Sequence, residues 1–99
     1  MGAALITGAS AGLGAEFARQ LAAKGLDLVL VARRIDKLSD VKRRIESEHP
    51  SVGIKLISAD LSDPSAPETI ATQVAEAGIQ LHYLVNNAGA SGPRLLQDS

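Results

Sequence analysis

Cysteine and tryptophan are absent from this chain of 99 residues, which has one phenylalanine and one tyrosine. Without cysteine there is no disulfide framework and no thiolate metal site. With aromatics at 2%, a core has to be built from Leu, Ile, Val and Ala. An excess of either charge is also missing. Ten basic residues stand against 11 acidic ones, a formal net charge of −1, and that balance calls for neither nucleic acid nor an anionic membrane. No apolar run approaches the roughly 18 residues of a membrane span. No basic segment leads into a signal-peptide core. Gly2 follows Met1, but Ile6 stands where a myristoylation signal needs Ser or Thr. A soluble cytoplasmic protein is the expectation.

What is present suffices for one small globular domain. Hydrophobic residues make up 45% of the chain, too many for a disordered segment. By size scaling such a domain buries roughly 60% of its unfolded surface, so the core is thin. Apolar runs at Ala3–Thr7, Leu28–Ala32, Gly53–Ser58 and Leu81–Asn86 read as strands. The second is continuously apolar, as a strand covered on both faces should be. The third carries Lys55, which fits a protected sheet edge.

Helical patterns fill the gaps between these runs. Leu13, Phe17 and Leu21 recur every four residues with Ala18 and Ala22 beside them, and Gly25 marks the stop. Leu38, Val41 and Ile45 mark a second helix, with Pro50 past its end. Ile70 and Val74 share a face of a third. Ser65 and Glu68 have capping-box spacing at its start, with Asp63 a competitor for the cap, and Gly78 closes it. Strands alternating with amphipathic helices predict an α/β fold with a parallel sheet.

The densest signal is Thr7-Gly8-Ala9-Ser10-Ala11-Gly12-Leu13-Gly14, which follows the first strand and opens the first helix. Glycine lets backbone approach a ligand closely. A helix starting just beyond directs free N–H groups and a positive dipole end at the same place. This is a way to hold a phosphate. The spacing is Thr-Gly-x-x-x-Gly-x-Gly rather than the commoner G-x-G-x-x-G. With Asn86-Asn87-Ala88-Gly89 at the end of the fourth strand, it resembles the short-chain dehydrogenase/reductase family. The resemblance runs from the first strand to the end of the fourth.

That resemblance implies a three-layer Rossmann-like half, β-α-β-α-β-α-β, with strand order 3-2-1-4. The first two helices would cover one face and the third the other. Residues 1–89 are expected to form the NADP-binding half-domain, with 90–99 a loop or tail leading to a missing catalytic half. Gly8 would allow the sharp turn, Gly12 the approach of the pyrophosphate, and Gly14 close packing of helix on sheet. Ser10 either donates to a phosphate oxygen or is a solvated turn serine. Leu13 belongs to the same cofactor-binding motif.

The second strand bears on which dinucleotide is held. NAD-binding versions place a carboxylate at its end for the ribose 2′-OH. Here the strand runs into Arg33 and Arg34, and Asp36 comes only in the first turn of the next helix. Two guanidinium groups match a 2′-phosphate, so NADP is expected over NAD; a solvated loop charge is the alternative for either arginine alone. Many NADP-using relatives carry a basic residue just before the second glycine, where this chain has Ala11. By resemblance, Asp60 and Leu61 lie against the adenine ring, Asp60 being otherwise a helix-entry loop residue. Asn87, Ala88 and Gly89 would line the pocket floor, while Asn86 or Asn87 alternatively tie neighbouring strands.

The family's oxidoreductases use a Tyr with a Lys four residues later. Tyrosine near pKa 10 is a poor base at neutral pH without a nearby cation. The single tyrosine, Tyr83, lies inside the fourth strand, and position 87 is Asn. His49 and His82 match no ligand pattern, and no catalytic residue or metal site is assigned. The chain therefore reads as the cofactor-binding, amino-terminal fragment of an oxidoreductase that transfers hydride between NADP(H) and a carbonyl or alcohol, and as inactive alone. A stand-alone NADP-binding module without catalysis is the alternative. The family implies a homo-oligomeric parent. The isolated chain is expected to leave its fourth strand as an open edge, with Leu81, Leu84 and Val85 partly uncovered, and to self-associate.

Overall fold

The computed structural model describes residues 2–10, 12–86 and 95–97. The elements run β1 (Ala3–Thr7), α1 (Gly12–Ala23), β2 (Asp27–Ala32), α2 (Ile35–Glu48), β3 (Ile54–Ser58), α3 (Ala66–Glu76), β4 (Leu81–Asn86) and β5 (Leu95–Gln97). They build a five-stranded sheet of order β3-β2-β1-β4-β5. The first four strands are parallel in the expected order 3-2-1-4. β5 is the exception: it pairs antiparallel with β4, Leu84 opposite Leu96. The edge of β4 expected to stay open is therefore partnered, and the reason for expecting self-association through it is removed.

Burial follows the pleat. Ala4, Ile6, Leu28, Leu30 and Val85 face α1 and α2, meeting Ala18, Ala22, Leu38, Val41 and Ile45. Leu5, Val29, Val31 and Ile57 face the other way, onto Ile70 and Val74 of α3. Consecutive residues of a strand point to opposite faces, so a central strand covered on both sides reads as an unbroken apolar run. Lys55 lies on β3, at the sheet edge. Val85, expected to be partly uncovered, is fully buried, whereas Leu84 remains 36% exposed on the side that only α3 covers.

α1 turns its small residues toward the sheet, in keeping with the close packing expected at Gly14. Gly14, Ala18 and Ala22 are its buried residues, Phe17 and Leu21 are half-buried, and Leu13 is 59% exposed. Small residues let the helix axis approach the sheet, and bulky residues on the neighbouring stripe then pack along its flank.

The helix ends show which local signals hold. α1 closes with Gly25 N–H donating to Ala22 O (2.9 Å) and Leu26 N–H to Leu21 O (3.3 Å). α3 repeats the pair through Gly78 to Ala75 O (3.0 Å) and Ile79 to Val74 O (3.2 Å). Both are the paired bonds by which a helix ends on a glycine past its C-cap. The start of α3 departs from expectation. Ser65 occupies the N-cap but makes no side-chain capping bond. Its N–H and hydroxyl both donate to Asp63 Oδ1, at 2.9 Å. A carboxylate two residues upstream captures the serine locally, so the capping box does not form.

Candidate functional site

Three loops leave the carboxyl ends of β1, β2 and β3 side by side. The first continues the sheet for one more bond, Ala9 N–H donating to Val31 O at 3.2 Å, before turning into α1. Thr7 is buried and its hydroxyl donates to Val85 O at 3.4 Å, tying the root of the turn to β4. Gly8 and Gly12 both have φ of 62°, a region that L side chains rarely adopt. A Cβ placed on Gly12 would meet no protein atom within 4 Å. The space beside this glycine is therefore open to a ligand. α1 starts there and carries no acidic residue in its first turn, so an anion at this end of the helix would meet N–H groups with no fixed negative charge among them.

The second loop carries Arg33 and Arg34. Ser58 Oγ donates to Arg33 O at 3.0 Å, fastening this loop to β3. Arg34 is the N-cap residue of α2, without a capping side-chain bond. Its guanidinium is bound by Asp36 in bidentate fashion, Nε to Oδ1 at 3.3 Å and Nη2 to Oδ2 at 3.1 Å. The Asp36 hydrogen bonds and charge raise the Arg34 pKa, and the Arg34 hydrogen bonds lead in holding Asp36 below the ordinary carboxylate value. Arg33 makes no side-chain ion pair or hydrogen bond among the described residues.

The third loop carries Asp60. Its Oδ1 accepts the Ser62 hydroxyl at 2.7 Å and the Ser62 N–H at 3.0 Å. Those bonds lead in holding Asp60 ionised below the ordinary range, and the charge of Arg33 acts in the same direction.

These loops enclose a cleft of about 430 Å³. Gly8 and Ser10 line it from the first loop, Arg33 and Arg34 from the second, and Asp60 and Leu61 from the third. Six of the residues singled out in the sequence thus meet in one place. Gly12, Leu13 and Gly14 form the start of α1 alongside, the first two exposed and the third buried. Asn87, Ala88 and Gly89 lie outside the described residues. Sequence reasoning missed Ser62 and gave Asp36 no part in holding Arg34. The Asp-x-Ser spacing at Asp60 was the available signal for the first, since such carboxylates commonly bond two residues onward. Among the described residues, no group of three or more His, Cys, Asp or Glu could hold a metal ion. Within the same residues, no helix is long and apolar enough to cross a membrane.

A larger cleft, of about 610 Å³, opens at the opposite end of the sheet between Asp27, Gly53, Lys55 and Gly78. Among the described residues it is lined at the helix side by the end of α3, at Ala77 and Gly78, rather than by a helix start, and Asp27 Oδ1 already accepts the Gly53 N–H at 2.8 Å. In open α/β sheets ligands bind beyond the carboxyl ends of the strands, which favours the smaller cleft.

The arrangement there suits a phosphorylated adenosine. Backbone N–H groups and a hydroxyl lie at one end, cations in the middle, and a carboxylate with an apolar neighbour at the other. A family model described as short chain dehydrogenase matches residues 2–98. The chain is 36% identical over 88 residues to the very-long-chain 3-oxoacyl-CoA reductase of Kluyveromyces lactis, covering 89% of this chain and 25% of that protein. The solved short-chain dehydrogenase from Sphingobium yanoikuyae in complex with NADPH matches with a TM-score of 0.79 at 37% identity, over 90% of this chain and 34% of that one. A metagenomic short-chain oxidoreductase in complex with NADP gives a TM-score of 0.81 at 39% identity, over 90% of this chain and 39% of that one. The chain thus spans 25% to 39% of the length of these relatives.

Proposed function

The chain belongs to the short-chain dehydrogenase family, and we propose that it is the NADP(H)-binding, amino-terminal portion of an oxidoreductase acting on a carbonyl or alcohol. The observation that carries this reading is the meeting of Gly8 and Ser10, Arg33 and Arg34, and Asp60 and Leu61 around one cleft. In the proposed roles, the backbone from Gly8 to Gly14 holds the pyrophosphate at the start of α1. Arg33 and Arg34 border the 2′-phosphate. Asp60 and Leu61 border the adenine, and Asn87 to Gly89 the adjoining ribose. Bound here, the nicotinamide would supply or accept the hydride.

This sequence contributes binding and orientation to that reaction. Its only tyrosine, Tyr83, packs against the core beneath α1 and α2, and Asn87 stands four residues later. A Tyr-x-x-x-Lys pair would therefore come from the remainder of a longer protein. A module that binds NADP(H) without chemistry would use the same cleft, and a reading frame with that pair beyond Ser99 decides for the enzyme. Fluorescence titration of the chain with NADPH and with NADH tests the binding claim. Tighter binding of NADPH is the expected result. Equal affinities, or no binding of either, would overturn it.

A further inference from the structure

The two arginines beside the cleft stand in different electrical situations. A guanidinium presents its N–H donors along distinct edges of a planar fork. Asp36 occupies one edge of Arg34 through Nε and Nη2, and its negative charge cancels the cation locally. Arg33 has no such partner among the described residues. Asp36 has little packing role, since its side chain is 64% exposed and that of Arg34 is 66% exposed. An exposed ion pair of this kind adds little to stability. Asp36 stands in the first turn of α2, beside Arg33 and Arg34, which line the cleft.

We propose that Asp36 is a positioning residue that sets the discrimination between NADP(H) and NAD(H), by binding Arg34 and muting its charge so that Arg33 is the cation left to read the 2′-phosphate. The proposal rests on the cofactor reading above. A dianionic phosphate gains from every uncompensated positive charge nearby and loses from every fixed negative one. With Arg34 held by Asp36, the corner presents one arginine outside any ion pair among the described residues, Arg33, whose charge also acts on Asp60 across the cleft. The preference for NADP(H) is then moderate, and NAD(H), which lacks the phosphate, remains a usable ligand. Ala11, in the neighbouring glycine turn, adds no second cation.

The test is a set of equilibrium titrations of the 99-residue chain with NADPH, NADH and adenosine 2′,5′-bisphosphate. Asp36→Asn is expected to tighten NADPH and the bisphosphate about fivefold while leaving NADH within about twofold. Asp36→Glu, which keeps the charge, should behave as the unaltered chain does. Arg34→Gln should cost NADPH less than Arg33→Gln does in the unaltered background, yet abolish the gain in the Asp36→Asn background. A weaker or unchanged NADPH-to-NADH ratio in Asp36→Asn would overturn the proposal, as would a gain that persists without Arg34. Should Asp36→Asn lower the folded population by circular dichroism, Arg34→Gln carries the test, and a loss as large as that of Arg33→Gln overturns it. An unaltered chain that binds neither NADPH nor the bisphosphate would sink the cofactor reading and this proposal together. NADPH binding with a flat response to Asp36→Asn would sink this proposal alone.

Discussion

The turn after β1 and the corner after β2 border the same cleft, yet they offer an anion different things. From Gly8 to Gly14 there is no ionisable side chain. What that stretch presents is backbone N–H, a serine hydroxyl and the positive end of α1. Arg33 and Arg34 present full charges on exposed side chains, one of them countered by Asp36. The first arrangement is built into the chain path and costs no side-chain ordering. It suits any dinucleotide, because the pyrophosphate is common to all. The second, on the proposed reading, acts only on what differs between dinucleotides. The proposed function thus separates general affinity and selectivity onto neighbouring loops, each open to alteration alone.

The largest expected effect is on the turn. Gly12→Val places a β-branched residue at a φ of 62° and a side chain in the open space beside it. Loss of a charge-assisted backbone contact to the pyrophosphate costs about 3 kcal/mol, close to a hundredfold. NADPH and NADH should lose equally in titration, since both carry the pyrophosphate. A loss confined to NADPH would break the separation between the two loops.

Arg33→Ala comes next and should reach NADPH alone. A hydrogen bond to a charged group is worth about 2 kcal/mol, or roughly thirtyfold in affinity. NADH binding measured in parallel should stay put. If both cofactors weakened together, the arginine would be stacking on adenine or supporting the loop rather than reading the phosphate.

Ionic strength should separate the loops without any mutation. Raising salt from about 0.05 to about 0.5 M should weaken NADPH about threefold more than NADH, because exposed charges are screened within a few ångströms at the higher value. Parallel salt dependences would place the two cofactors on the same electrostatics.

The smallest effect is expected from pH. Asp36, Asp60 and Asp63 all have pKa values lowered from 3.8, chiefly by hydrogen bonds from Arg34, Ser62 and Ser65 respectively. A carboxyl whose folded pKa is depressed stabilises the fold fully above its unfolded value, and that contribution is lost as pH falls through the folded value. Thermal melts should therefore be insensitive to these groups from about pH 5 to about pH 8 and decline below about pH 4. Over the upper range the corner keeps its charges. NADPH affinity should fall only as the 2′-phosphate takes up a proton near pH 6, roughly the second pKa of a phosphomonoester, while NADH stays flat. A pH-dependent NADH affinity in that range would assign a titrating group to the neutral turn.

Much of the frame was legible because it rests on local patterns. The continuous run from Leu28 to Ala32 marks a strand covered on both faces, and Lys55 marks the edge. Gly25 and Gly78 stop their helices through bonds spanning only a few residues. Other features depend on competition or on distance. On α1, the stripe of Leu13, Phe17 and Leu21 and the stripe of Gly14, Ala18 and Ala22 have the same period and lie one residue apart. Hydrophobicity alone favours the first, but the separation of helix and sheet selects the second. Ser65 has the spacing of a cap, yet Asp63 reaches it first. In the candidate site, Gly8, Ser10, Arg33, Arg34, Asp60 and Leu61 were each visible as residues. That they share a cleft followed only from the strand order.

By itself, then, the sequence determined the first four strands and the three helices, though not β5 in the segment expected to be a loop or tail, and it determined where two of the helices stop and that a glycine turn opens the first of them. These depend on periodicity, on backbone freedom and on hydrogen bonds between near neighbours. Only the tertiary structure decided that α1 turns its small residues inward, that Leu95–Gln97 covers the edge of β4, and that Asp36 holds Arg34 while Arg33 stands unpaired among the described residues. The first two depend on how closely layers and strands approach one another in space. The third depends on side-chain geometry in a loop, which residue spacing along the chain leaves open.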